Sequence, residues 1–196
     1  MTVLTRVAAL LAPFTLAATL FSAQAAPALK AGVFEPPRQA PEFVLRGSDG
    51  ADLSLARYRG KLVLLSFGFT HCAAVCPVTL ATLAQARQAL GAQAGAVQVV
   101  FVTVDPERDD PAQMKTYLAA FDPSFVGGAG RPEVLAAMRK NYGVVATKVP
   151  MASGGYAVDH TSAIFLIDRD GKLRAMMPYG RDARDYVHDI QLLLAQ

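Results

Sequence analysis

Both cysteines of the chain lie in one short stretch, FTHCAAVCPVT, four residues apart at Cys72 and Cys76. The stretch follows an apolar run and precedes a segment with helical spacing, so both thiols are expected near a helix N-terminus. The partial positive charge at that end of a helix lowers thiol pKa values, which favours redox exchange and the binding of soft metals alike. A third alternative, a purely structural disulfide, would close a very short loop and contribute little stability.

A metal site built on these thiols needs at least one further ligand, and His160 is the candidate. It follows Cys76 by 84 residues and directly precedes an apolar strand-like segment at residues 163–167. If that strand lies beside the strand leading to the cysteines, the loop before it brings His160 to the pair. Two thiolates and one imidazole form a soft, low-coordinate set that suits copper(I), whereas zinc usually takes a fourth ligand.

Three further polar residues are candidates for groups around these ligands. Asp105 follows an apolar strand at the edge where α/β sites form, and is expected either to hold His160 or a partner, or to cap the next turn. Asp159 adjoins His160 and is expected to orient it, or else to be a solvated loop acid. His71 is expected in a structural or outlying role rather than as a ligand.

The segments that must position these residues alternate between strand and helix patterns, which predicts an α/β domain with a mixed sheet and helices on both faces. A thioredoxin-like arrangement fits best, because its cysteine pair lies where the first core strand passes into a helix. The residues before His160 are predicted as a long loop. The predicted strands are 43–45, 61–68, 97–104, 163–167 and 173–177, and the predicted helices are 78–90, 111–121, 132–141 and 182–195.

Several features disfavour a dedicated thiol–disulfide oxidoreductase. Such enzymes with a thioredoxin-like fold carry a cis-proline just before the strand that follows His160, where this chain has Thr161 and Ser162. The cysteine spacing is C-x-x-x-C rather than C-x-x-C, and the chain contains no tryptophan. The metal site and the redox pair nevertheless both remain open from the residues alone.

Composition and charge bound the remaining possibilities. The 196 residues are 53% hydrophobic and 18% charged, which is typical of a globular domain and not of a disordered chain. The formal net charge is only +3, and no basic cluster is present, so nucleic acid is an unsuitable partner.

The first residues have the pattern of an export signal. One arginine precedes a nearly continuous apolar run, and Ala23-Gln24-Ala25 has the small-x-small pattern of a signal peptidase site. We therefore expect residues 1–25 to be a secretory signal peptide, with an uncleaved membrane anchor as the alternative. Residues 26–40 are rich in alanine and proline and are predicted to be a flexible tether, followed by a single domain at 41–196.

Three blocks of the sequence, in order, resemble the SCO/SenC family: FGFTHCAAVCP, FVTVDPERDDP and VDHTSAIFLIDRDGKL. The resemblance covers roughly residues 41–196. It implies a thioredoxin-like fold, an exported or membrane-tethered location, and copper bound through two cysteines and a distant histidine. Matched residue by residue, those ligands are Cys72, Cys76 and His160. Family members are implicated in building the dinuclear copper site of cytochrome c oxidase.

The resemblance thus implies a periplasmic copper chaperone that delivers copper to a copper-accepting subunit of cytochrome c oxidase or to another cuproprotein. Such a protein is a metallochaperone rather than an enzyme, and it depends on a thiol reductant to keep Cys72 and Cys76 reduced. The alternative is a thiol–disulfide reductase that keeps the acceptor's cysteines reduced and does not need His160. One departure from the family is Ala73-Ala74, where the family usually has Pro-Asp; this change is expected to alter affinity, redox tuning or docking.

Overall fold

The computed structural model describes residues 28–152 and 154–196. Its strands are β1 (Gly32–Gln39), β2 (Val44–Gly47), β3 (Asp52–Ser54), β4 (Leu62–Gly68), β5 (Val97–Thr103), β6 (Val126–Ala129), β7 (Ala146–Pro150), β8 (Tyr156–His160), β9 (Ile164–Ile167) and β10 (Lys172–Met177). Its α-helices are α1 (Val75–Ala89), α2 (Pro111–Ala119), α3 (Pro132–Tyr142) and α4 (Ala183–Leu194). Within these ranges no helix combines the length and the apolar character needed to cross a bilayer.

Eight of the described strands form one mixed sheet in the order β1-β10-β9-β4-β5-β6-β2-β3. Strands β4, β5 and β6 are parallel, and β9 is antiparallel to β4. Every residue of β4 and β5 is buried, as expected for central strands whose continuous apolar runs are covered on both faces. The core therefore lies along the two strands that lead to the predicted site.

Helices cover both faces of this sheet. Phe101 on β5 is aligned with Ser66 and contacts Tyr117 of α2, whereas Phe165 on β9 is aligned with Leu65 and contacts a tyrosine of α3. Consecutive residues of a strand point to opposite faces, so α2 and α3 lie on opposite sides of the sheet. The predicted thioredoxin-like mixed sheet with helices on both faces is confirmed.

The helix ends follow local sequence signals. Asp110 accepts a hydrogen bond from the backbone N–H of Gln113 at 2.8 Å, and Pro111 occupies the first turn of α2. Gly143 ends α3 in a left-handed conformation with φ of 70°, which glycine adopts without steric cost. Helix α1 begins at Val75, three residues before its predicted start, so Cys76 belongs to the first helical turn.

Two segments differ from their predicted structure. The tether predicted at residues 26–40 is wrong for Gly32–Gln39, because β1 pairs with β10 at the edge of the sheet. Two prolines break its pattern, and the register shifts between Val33 and Arg38; an edge strand tolerates both, since it needs hydrogen bonds on one side only. The long loop predicted before His160 is instead the antiparallel hairpin β7–β8.

Candidate metal centre

The sheet topology brings the three predicted ligands together at the carboxyl end of the central strand β4. Cys72 and Cys76 follow the carboxyl end of β4, and the start of the antiparallel strand β9 lies beside that end, with Ser66 aligned with Ile164. His160 is the last residue of β8 and precedes β9 by a short connection. The expected juxtaposition of His160 with the cysteine loop is therefore present, and it follows from the antiparallel pairing of β9 with β4.

The two thiols occupy different environments at the start of α1. Cys76 is buried among core residues, whereas Cys72 is half-buried in the preceding loop, and both are free. The backbone N–H of Cys76 donates to Cys72 Sγ over 3.4 Å. Because Ala74 at the helix N-cap has no side chain that can accept a hydrogen bond, the Cys72 sulfur takes the place of a capping group.

These environments separate the acidities of the thiols. Partial burial alone would raise the pKa of Cys72, but the backbone N–H groups of Cys76 and Ala74 donate to its sulfur and bring that pKa below its usual value. Burial raises the pKa of the Cys76 thiol to about 12. The prediction that the helix N-terminus favours thiolates therefore holds for Cys72 and fails for Cys76, where desolvation is the larger effect.

His160 faces the buried thiol through one nitrogen of its ring. Its Nε2 lies 3.6 Å from Cys76 Sγ, and its Nδ1 lies 3.0 Å from the carbonyl oxygen of Thr161. A carbonyl can only accept, so Nδ1 carries the proton, and Nε2 is the ring nitrogen directed at Cys76. A backbone acceptor that fixes the tautomer in this way is the usual support of a metal-ligating histidine.

The separation of these two atoms is close to that of two ligands on one metal ion. Metal distances of about 2.3 Å to sulfur and about 2.0 Å to nitrogen, as for zinc, place the two ligand atoms about 3.7 Å apart in a trigonal arrangement. In residues 28–152 and 154–196, no three His, Cys, Asp or Glu side chains are already arranged as a complete metal-binding group. Cys76 and His160 thus have the spacing of ligands, while the half-exposed sulfur of Cys72 stands beside them as the third candidate ligand; their assignment as ligands stays a prediction.

Asp109 supports the cysteine loop and was not identified as a site residue from the sequence. Its side chain is fully buried and accepts hydrogen bonds from the Thr70 N–H at 3.1 Å, the Thr70 hydroxyl at 2.6 Å and the Thr103 hydroxyl at 2.7 Å. Thr70 lies two residues before Cys72, so this carboxylate ties the loop to the end of β5. Asp109 does not cap helix α2, a role that belongs to its neighbour Asp110.

The other candidate residues lie around the site in different roles. Asp105 does not hold His160: its carboxylate accepts from Arg108 and from the Tyr156 hydroxyl, because it faces the hairpin rather than the imidazole. Asp159 is exposed on β8, in register with Thr147. His71 is exposed, with Nδ1 3.2 Å from the Thr70 hydroxyl, which agrees with its expected outlying position.

A shallow cleft of about 470 Å³ opens beside the site, between the cysteine loop and the β7–β8 hairpin. Cys72 and His160 both line it, and apolar residues such as Phe69 and Met151 supply much of its wall. The half-exposed sulfur of Cys72 is therefore open to another molecule, while Cys76 lies behind it in the core.

Gly68 leaves the space that the Cys76 sulfur occupies, so we expect Gly68→Ala to disturb the site directly. A Cβ at this position would come within 2.5 Å of the Phe101 ring and 2.8 Å of Cys76 Sγ. We expect unfolding free energy to fall by about 1–3 kcal/mol and Cys76 to move away from His160, as measured by urea denaturation and by titration with copper(I). Gly95→Ala is the matched control, since its Cβ would meet nothing within 4 Å; equal effects of the two substitutions would contradict this prediction.

The fold and this edge site define a thioredoxin-like protein with a dithiol and a remote histidine, and with Thr161 and Ser162 where an oxidoreductase carries its cis-proline. A family model described as SCO1/SenC matches residues 34–195, so the chain belongs to the SCO1/SenC family. The predicted family is thereby confirmed.

Individual relatives agree with this assignment. The mitochondrial SCO2 homolog of Mus musculus is 38% identical over 157 residues, which are 79% of this chain and 62% of that protein's own length. Bradyrhizobium japonicum ScoI, solved with copper bound, is 38% identical with a TM-score of 0.74, covering 80% of this chain and 99% of that one. Yeast Sco1, also solved with copper bound, is 29% identical with a TM-score of 0.73, covering 82% and 90%.

Proposed function

We propose that this protein is a copper chaperone that binds copper(I) through Cys72, Cys76 and His160. The observation that carries the proposal is the 3.6 Å separation of Cys76 Sγ and His160 Nε2, with the other ring nitrogen bound to a backbone carbonyl. Two sulfurs and one imidazole nitrogen are a ligand set that copper(I) prefers. Copper bound to two similar proteins supports the same metal here.

Copper would replace the protons of the thiols and leave the Nδ1 proton of His160 in place. Cys72 is already the more acidic thiol, so it is the natural first contact for an incoming ion at the open side of the cleft. Cys76 and His160 then close around the metal from the buried side. The same open side suits release, because an acceptor's cysteine can approach the metal there and displace the ligands one at a time.

The proposed acceptor is a copper-accepting subunit of cytochrome c oxidase or another cuproprotein in the periplasm, as family membership suggests. An exported location exposes the two thiols to oxidation, so a thiol reductant is a required partner. The signal peptide or membrane tether expected at residues 1–25 lies outside the described residues. Ala73 and Ala74 line the cleft where relatives usually have Pro-Asp, so this entrance lacks that acid.

The direct test is the copper content and coordination of the reduced protein. We expect one copper(I) ion per chain, with two sulfur atoms and one nitrogen atom around it in X-ray absorption spectra. The oxidised protein, with Cys72 joined to Cys76, serves as the control and should bind no stoichiometric copper. A copper ion surrounded by sulfur alone, or by nitrogen and oxygen alone, would refute the proposed site.

Copper affinity is expected to rise with pH, because the metal displaces thiol protons. With a pKa of about 12, Cys76 is protonated throughout the neutral range and loses a full proton on binding. The lowered pKa of Cys72 means that its proton adds to the release chiefly at lower pH. Between pH 6 and pH 8 the logarithm of the affinity should therefore increase by about one to two per pH unit, measured by chelator competition. An affinity independent of pH would show that Cys76 is not a ligand.

One observation favours a second candidate, a thiol–disulfide reductase for the acceptor's cysteines. A half-exposed thiol with a lowered pKa in front of a buried thiol with a raised pKa is the arrangement of an attacking and a resolving cysteine. This activity would use Cys72 as the nucleophile and would not require the His160 lone pair. The two candidates therefore differ in their dependence on His160.

A further inference from the structure

The hairpin that carries His160 is attached weakly to the rest of the fold. Among the described strands, β7 and β8 are hydrogen-bonded only to each other and not to the eight-stranded sheet. The base of the hairpin is closed by the Thr161 N–H, which donates to the Val145 carbonyl at 3.0 Å. Main-chain pairing therefore does not fix the distance between His160 and the cysteines, and side chains must do so.

Arg108 supplies an attachment to the main chain of the hairpin. Its Nε donates to Asp105 Oδ2 at 2.5 Å, and its Nη1 donates to the main-chain carbonyl of Tyr156, the first residue of β8, at 3.0 Å. The guanidinium group also lies over the Tyr156 ring, 3.9 Å from its centre. One side chain thus holds both the backbone and the side chain of the hairpin strand.

Asp105 fixes this arginine from inside the protein. Its carboxylate is fully buried and accepts at 2.8 Å from the Tyr156 hydroxyl as well as from Arg108. A buried carboxylate that is paired on both oxygens resists displacement, because loss of either donor would leave charge without compensation. The short segment after β5 is therefore joined to β8 through the Tyr156 hydroxyl, which also donates to Glu107 at 3.2 Å, as well as through Arg108.

The same guanidinium group reaches toward the cysteine loop. It lies 5.7 Å from the centre of the Phe69 ring, and Phe69 in turn meets the His160 ring edge-on at 5.9 Å. Tyr156 and His160 are four residues apart on one strand, so they face the same side of β8. Arg108 consequently stands between the loop that carries the thiols and the strand that carries the imidazole.

We propose that Arg108, held by Asp105, is a positioning residue that keeps His160 Nε2 at ligand distance from Cys76. The inference rests on the proposed copper function. It assigns a role to Arg108, which is not one of the three proposed ligands. Arg108 does not touch the metal; it acts through the orientation of β8. Lysine cannot replace it, because a single ammonium group lacks the forked geometry that reaches Asp105 and the Tyr156 carbonyl together.

The test compares Arg108→Ala and Arg108→Lys in the full chain, each with and without His160→Ala. We expect either substitution to weaken copper(I) binding about 10–100-fold in chelator competition and to reduce the nitrogen contribution in X-ray absorption spectra. In the His160→Ala background, neither should weaken binding further, because the ligand that Arg108 positions is already absent. The reduction potential of the Cys72–Cys76 disulfide should change little.

Lys148→Ala is the matched control, because this exposed cation also lies over the Tyr156 ring, 4.4 Å from its centre, and pairs with Glu107 at 2.6 Å, but its side chain holds no main-chain group of β8. It should change copper affinity by no more than about twofold, which is much less than the loss expected when a group that positions a ligand is removed. If Arg108→Ala does not fold, Arg108→Lys decides. An unchanged affinity in both Arg108 variants, or an equal loss with and without His160, overturns this inference alone. If His160→Ala, made in the otherwise unmodified chain, leaves copper binding unchanged, the proposed function is overturned together with this inference.

Discussion

His160→Ala is expected to remove the nitrogen ligand and to weaken copper(I) binding by two orders of magnitude or more, while the Cys72–Cys76 disulfide still forms and is reduced. The reason is geometric: within the described residues, His160 Nε2 is the nitrogen placed 3.6 Å from the buried thiol, and alanine leaves copper with two sulfurs. Chelator competition gives the affinity, and disulfide exchange with a small thiol gives the redox activity. The two measurements separate the chaperone from the reductase.

His188→Ala is the control for this experiment, since His188 lies on α4 with its Nδ1 2.9 Å from Asp189 Oδ1 and has no contact with the thiols. It should bind copper as the unmodified chain does. If His160→Ala keeps full copper affinity and a nitrogen in its X-ray absorption spectrum, the ligand assignment fails. If it loses neither copper binding nor its function in copper delivery in cells, the reductase becomes the better account.

Asp109→Ala is expected to cause the largest loss of stability among substitutions near the site, about 3 kcal/mol of unfolding free energy or more. The substitution leaves the Thr70 N–H, the Thr70 hydroxyl and the buried Thr103 hydroxyl without their acceptor. Hydrogen bonds to a charged group are worth about 1.5–3 kcal/mol each, and they are not additive in one network. Urea denaturation measures the effect.

Asp110→Ala is the matched neighbour, because Asp110 only caps α2 at the surface and its loss should cost about 1 kcal/mol. The Asp109 variant should also bind copper less tightly, since Thr70 no longer fixes the loop before Cys72. A stability loss no larger than that of Asp110→Ala would show that the buried carboxylate does not organise this loop.

The parts of the fold that could be predicted are those whose sequence carries a strong local signal. The continuous apolar runs of β4 and β5 indicated buried central strands, and both form the core. The helix predicted from residue 111 begins at Pro111, and the strands predicted at 163–167 and 173–177 pair through a turn in which Gly171 has φ of 76°. From these elements alone, the position of the cysteine loop at the sheet edge could be deduced.

The parts that could not be predicted lack such a signal. Strand β7 is almost wholly exposed, so its sequence shows no alternation of buried and exposed residues, and the turn residues around Gly154 suggested a loop instead. Strand β1 is an exposed edge strand interrupted by two prolines, and its pairing depends on β10, far along the chain. The identity of an edge partner is a tertiary property that no local pattern records.

The candidate site shows the same division. Cys72, Cys76 and His160 could be placed together because the order of strands determines which loops share an edge. The difference in pKa between the two thiols could not be predicted, since it depends on the burial of Cys76 and on the backbone N–H groups that donate to the Cys72 sulfur. Asp105 and Asp109 both follow β5. Only the three-dimensional structure shows that Asp105 accepts a hydrogen bond from the hairpin and that Asp109 accepts one from the cysteine loop.

The pairing of β9 with β4 has a consequence for the order of events during folding. The thiols and the imidazole are 84 residues apart, and they meet only after that non-local strand pair has formed. Such long-range pairings form late, because the entropy of closing the intervening chain must be overcome first. A chain that is still folding would therefore present two sulfurs to its surroundings well before the His160 ring joins them, so full copper affinity should report that the chain has finished folding.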